Sequence, residues 1–174
     1  MRLGLEETKI LLRRTSDVLE ALLRDLPDPW VHENEGPDTW SSFDVVGHLV
    51  EAEETNWIPR IRHLIEHGES ATFPPFDRFG FVERSKGKSM AEMLDTFKDA
   101  RTRSLRHLDE LRLTPGDLGR KGRHPEFGQV TLGELLATWT VHDLNHLAQI
   151  VDVLARQHAG AVGPWRAFLG ILEK

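Results

Sequence analysis

"TLGELLATWTVHDLNHLAQIVDVLARQH", residues 131–158, combines a helix-start signal with a helical apolar period, and two histidines fall inside that period. Thr131 can cap the first turn while the Glu134 side chain reaches back to the cap's own N–H, the reciprocal pattern of a capping box. From there Leu132, Leu135, Trp139, His142, His146, Gln149 and Val153 recur in alternating steps of three and four, tracing one seam of a helix. A seam of this kind faces the rest of the protein. Two imidazoles on it, one turn apart, need partners for their ring nitrogens, because an unpaired buried polar group is costly.

The same start signal appears twice more. "SSFD" (Ser41, Asp44) opens a second stretch that closes near Gly68, with a kink expected at Pro59, and "SMAE" (Ser89, Glu92) opens a third that ends before "TPGD" at 114–117. The first stretch runs from about Leu3 to Leu26, with Leu12, Leu19, Leu22, Leu23 and Leu26 near helical spacing, and stops before Pro27 and Pro29. The fourth continues to Gly160, and Pro164, at a favoured first helical position, starts a short final helix. Strand signals are nearly absent; "GFVERS" at 80–85 is too short to matter. This pattern predicts an all-α four-helix bundle in one domain spanning 1–174, with the loops at 27–40, 69–88 and 115–130 covering one end.

Composition narrows the function. With 174 residues, 39% of them hydrophobic, the chain supports one core and leaves little room for a second domain. It has no cysteine, which excludes disulfides, thiolate nucleophiles and sulfur-ligated metals, and no tyrosine to act as a phenolic acid. Any metal must be held by nitrogen and oxygen. The net charge of −6 argues against nucleic acid or an anionic membrane as partner. No apolar run approaches the roughly 18 residues of a membrane span, and "MRLGLEETKILLRRTS" lacks a signal-peptide pattern, so a soluble cytoplasmic protein is expected.

A His-x-x-x-His pair on one helical face can chelate a single ion, with each nitrogen about 2.0–2.1 Å from it. It can also arise by chance in a chain with nine histidines, each satisfied by hydrogen bonds. A third candidate ligand comes from the second stretch. There His48 shares a broad face with Val45, Leu49, Ala52, Thr55 and Asn56, although hydrogen bonds to Asp44 or Thr55 would equally account for a core histidine. His48, His142 and His146 together would give three neutral nitrogens and an open position, the pattern of catalytic divalent sites. His32 and His124, in loops beside prolines or charges, are weaker candidates. "HDLNH" lacks the glutamate base of a zincin, and Asp143-x-x-His146 has no second copy of the kind a di-iron bundle requires.

The predicted bundle, "GHLVEAEE" at 47–54 and "TLGELLATWTVHDLNHLAQI" at 131–150 resemble the DinB superfamily. That resemblance implies a four-helix bundle with a three-histidine divalent-metal site, carrying the ligand role onto His48, His142 and His146. It further implies transfer or isomerisation with a low-molecular-weight thiol such as bacillithiol, mycothiol or glutathione, and a homodimer. An open-faced metal with neutral ligands, zinc or nickel by preference, lowers the pKa of a bound thiol or water. A thiol-dependent S-transferase acting on small electrophiles is therefore expected, with a metal-dependent hydrolase or a non-catalytic bundle as alternatives. Asp143 is expected to hold a ligand's second ring nitrogen. Trp139, one turn before His142, is expected to wall a substrate pocket. "RKGRH" at 120–124 reads as a solvated basic loop that could also attract an anionic cosubstrate.

Overall fold

The computed structural model describes residues 4–173. Four long helical segments form the bundle: α1 (Leu5–Leu23), the broken pair α3 (Ser42–Thr55) and α4 (Trp57–His67), α6 (Met90–Glu110) and α7 (Leu132–Gln157). The expected start at Leu3 lies outside the described residues. All three capping boxes form, with Ser41, Ser89 and Thr131 each accepting from the backbone of the third helical residue and receiving its carboxylate in return. The second stretch breaks at Asn56, just ahead of Pro59, because the proline ring clashes with the carbonyl four residues back, that of Thr55.

Around the bundle the order is α1, α6, α3, α7, since α1 and α3 each pack against both α6 and α7. Sequence neighbours α1 and α3 therefore lie on a diagonal, as do α6 and α7. Diagonal neighbours need long connections, and this accounts for the lengths of the segments at 27–40 and 111–131. The first carries a short helix, α2 (Asp28–His32). The connection from α4 to α6 carries another, α5 (Phe81–Ser85), so "GFVERS" is helical.

The third connection contains an antiparallel hairpin absent from the sequence reading, β1 (Lys121–His124) with β2 (Gly128–Thr131). Its exposed Lys121, Arg123 and Gln129 leave no apolar alternation to read. The hairpin lies against α4, where a Cβ at Gly122 would meet Leu64 at 2.9 Å. It stands away from the histidines, so only the first two connections cover the site. The expected helix at Pro164 is a 3₁₀ turn, Gly163–Phe168, followed by a second one, Gly170–Leu172. Among the described residues no helix is long and apolar enough to cross a membrane.

The interior has two apolar clusters. One gathers Leu12, Trp57, Ile61, Leu64, Leu105, Leu108, Leu132 and Trp139; the other gathers Leu19, Leu23, Val46, Leu49, Met93, Phe97 and Ile150. Each fully buried Leu or Phe contributes about 1.5–3 kcal/mol. Between the clusters, at the level of Thr15, Glu53, Arg101 and Asp143, the bundle carries a buried polar layer.

Candidate metal centre

The polar layer has two parts, set by adjacent residues of α7. Asp143 faces α1 and α6, where both of its oxygens take Arg101 N–H groups, at 2.7 and 3.1 Å, and Oδ2 also accepts from Thr15 Oγ1 at 2.7 Å. Arg101 also donates to Glu53 Oε1 at 2.8 Å and to the Leu12 carbonyl at 2.6 Å. Trp139 Nε1 donates to the same Glu53 oxygen at 2.9 Å. Burial pushes the Glu53 carboxyl up while Arg101 opposes the shift. One guanidinium thus ties all four segments of the bundle together.

This settles two sequence expectations against the residues concerned. Asp143 holds no histidine nitrogen, because both of its oxygens are engaged by Arg101. Trp139 walls no pocket: it is fully buried, stacked on Trp57 at 5.6 Å, and Trp57 is the ring that meets His142. One turn of separation along a helix fixes a face. It does not fix which neighbour covers it.

His142 and His146 point the other way, toward His48 of α3. His48 Nε2 lies 3.1 Å from His142 Nε2, and His146 Nε2 lies 3.2 Å from the same atom. The candidate nitrogens of all three lie within 4.8 Å of one another, and no carboxylate joins the group among the described residues. His48 Nδ1 meets the Arg78 carbonyl at 3.2 Å, and His146 Nδ1 meets Gln149 Oε1 at 2.8 Å. Both partners are acceptors, so each Nδ1 carries the proton and each Nε2 presents a lone pair. His142 can donate one Nε2–H at most, so at least two lone pairs face a common point. Its own Nδ1 is buried without a partner.

Such an arrangement suits a cation. Two nitrogens each about 2.0–2.1 Å from one ion, at tetrahedral or octahedral angles, lie about 2.8–3.4 Å apart. The observed separations of 3.1 and 3.2 Å fall in that range. Burial, reinforced by the neighbouring imidazoles, lowers His48 to about 4 and His142 to about 3, and burial lowers His146 as well. All three are neutral at pH 7, as metal ligands must be.

The histidines floor a cavity of about 650 Å³. Its walls come from the first connection with Glu35, Asp38 and Trp40, from the second with Phe76, Arg78 and Phe79, and from α7 beyond His146. Trp40 is the aromatic residue that takes the place expected of Trp139, with its ring 4.8 Å from that of His48 and 6.2 Å from that of His146. Its sequence signal was its position just before the Ser41 cap, where an apolar residue commonly fixes the chain's entry. Gly47 matters here too, since a Cβ there would meet Phe81 at 2.8 Å and push α5 away from α3. His32 and His124 stand apart, His32 against Phe43 and His124 against Phe127.

Residues 11–150 match the family model of the DinB superfamily. Among solved structures the fold is similar to that of YfiT from Bacillus subtilis, described as a probable metal-dependent hydrolase with an unusual four-helix bundle topology. The two share 22% identity at a TM-score of 0.73, over 88% of this chain and 87% of that one. No curated protein matches the chain.

Proposed function

This chain belongs to the DinB superfamily, and from that premise we propose that it is a divalent-metal-dependent S-transferase joining a low-molecular-weight thiol to a small electrophile. The observation that carries the reading is the convergence of three neutral imidazoles, without a carboxylate, at the floor of an aromatic-walled cavity. His48, His142 and His146 would hold the ion, zinc or nickel by donor type. When bound, it lowers the pKa of a thiol that joins it.

The chain's own residues do the rest. The Arg78 carbonyl and Gln149 fix two of the rings, with each Nε2 aimed inward. Trp40, Phe76 and Phe79 keep water from one side of the cavity and offer an apolar face to an electrophile. The thiolate sulfur attacks the electrophilic carbon, a C–S bond forms, the leaving group departs with its electron pair, and the thiol proton passes to solvent.

Hydrolysis is the second reading, and the description of YfiT favours it. It would use water in place of the thiol, made acidic by the same ion and assisted by any carboxylate free to take the proton. Asp143 and Glu53, behind the histidines, are committed to Arg101, and Glu35 and Asp152 at the mouth share Arg156, which leaves Asp38 as the candidate base in the lining among the described residues. A thiol starts near pKa 8.5, far below free water, so it would reach its thiolate on the ion with less help. The test is to supply metal-loaded protein with a thiol and monobromobimane in one assay, and with a p-nitrophenyl ester and no thiol in another. Loss of thiol above the uncatalysed rate, abolished by a chelator, supports the transferase. Ester cleavage alone supports the hydrolase.

A further inference from the structure

The third residue of "FDRFG", Arg78, has a part in the cavity that the proposed chemistry does not use. Its carbonyl holds His48, which fixes this loop against the histidines. Its guanidinium carbon lies 5.6 Å from the Trp40 ring centre and 5.2 Å from that of Phe79, inside the lining of the cavity. Contacts with ring faces hold a guanidinium in place while leaving its in-plane N–H groups available. Among the described residues no carboxylate pairs with Arg78 and no acceptor takes any of its five N–H groups; only its carbonyl is engaged. Arg60, which also has no acidic partner among the described residues, lies over Phe73 away from the cavity, whereas Arg78 belongs to the lining that the three histidines share.

We propose that Arg78 is the counter-ion for a carboxylate on the molecule that enters this cavity. The claim rests on the cavity being the reaction site. A guanidinium fork matches a carboxylate bidentately. A carboxylate suits the lining better than a phosphate dianion, because Arg78 is its one arginine or lysine and Asp38, which has no basic partner among the described residues, faces the same space. The apolar body of such a ligand would lie along Trp40 and Phe76. The carboxylate could belong to the thiol or to the electrophile, and the two arms of the test separate these sources.

In the first arm, cobalt-loaded protein is titrated with 3-mercaptopropionate and with its neutral methyl ester, reading the thiolate-to-cobalt charge-transfer band. In the second, metal-free protein is titrated with benzoate and with benzamide, reading the indole N–H resonances by NMR. Arg78→Ala and Arg78→Lys are compared with the parent in both; each keeps the backbone carbonyl on His48, so cobalt content checks that the site is intact. The expected preference for the anion in at least one arm is about 5- to 10-fold, partly kept in Arg78→Lys and lost in Arg78→Ala. Preference for the mercaptocarboxylate alone places the carboxylate on the thiol; preference for benzoate alone places it on the electrophile. Equal binding of anion and neutral analogue in both arms, or a preference that survives in Arg78→Ala, overturns the proposal. Absence of a charge-transfer band with either thiol would sink the thiol chemistry instead, and the benzoate arm would still decide the role of Arg78.

Discussion

Two polar clusters interrupt the apolar interior at the same level of the bundle, back to back across α7, and they are built on opposite plans. Around Arg101, each charge meets an opposite charge: the guanidinium spans Asp143 and Glu53, Thr15 donates to the first and Trp139 to the second, and the residues are almost wholly excluded from water, with Arg101 Nε and Glu53 Oε2 left over. Around His142 no charge is paired, and only the outer nitrogens of His48 and His146 are held. Lone pairs converge, one ring nitrogen has no partner, and the cluster opens onto a cavity. A polar group that closes on itself specifies how helices pack. One left short of partners, with an opening to solvent, is organised around something that comes from outside.

Removing a member separates the two most sharply. His48→Ala and His142→Ala should each lower metal affinity by more than about 100-fold, since even losing an outer partner of a ligand costs 10- to 100-fold. His67→Ala, on α4 beyond the helix break, should leave it unchanged. Elemental analysis of tag-free protein reads this directly, and equal metal content in all three variants would erase the distinction between the clusters.

Arg101 should behave in the opposite sense. Arg101→Ala leaves two buried carboxylates facing each other, at a cost of about 3–5 kcal/mol in chemical denaturation. The triple change Arg101→Met, Glu53→Gln, Asp143→Leu should cost less than the single one, because no lone charge remains buried. Folded protein of either kind should still bind metal. Loss of metal from a folded triple variant would show that the two clusters form a single unit.

Gln149→Leu sharpens the comparison at one atom. It removes the acceptor on His146 Nδ1, so metal affinity should fall about 10- to 100-fold while stability changes by less than about 0.5 kcal/mol. The smallest effect is on pH dependence. In the metal-free protein His48 and His142 titrate near 4 and 3, below their ordinary value of 6.5. Below pH 6.5 the unfolded chain takes up protons that the folded chain refuses, so stability is full above 6.5 and falls as pH drops toward 4. Urea midpoints at pH 7.5 and 5 should therefore differ more in the parent than in a His48→Gln, His142→Gln variant.

The parts legible in the sequence were those written locally. Three capping boxes marked three helix starts to within a residue, and the His142 and His146 spacing placed both rings on one side of α7. Which neighbour each side meets is not local information. Asp143 is one residue from His142, a rotation of about 100° on the helix, and this turns it from the cavity to Arg101 of a helix some 40 positions earlier. Arg101 itself sits four residues from both Phe97 and Leu105, within an apolar seam, so its burial left a trace that a lone charge did not make convincing. Arg78 left none. Its place follows from the long connection between the neighbouring segments α4 and α6, which brings α5 back onto α3 through contacts distant in the chain.

The central claim is that one cation sits among three imidazoles, and anomalous diffraction from zinc-grown crystals tests it most directly. A single strong zinc peak is expected about 2.0–2.1 Å from Nε2 of His48, His142 and His146. A peak bound elsewhere, or rings in van der Waals contact with no peak between them, would contradict it.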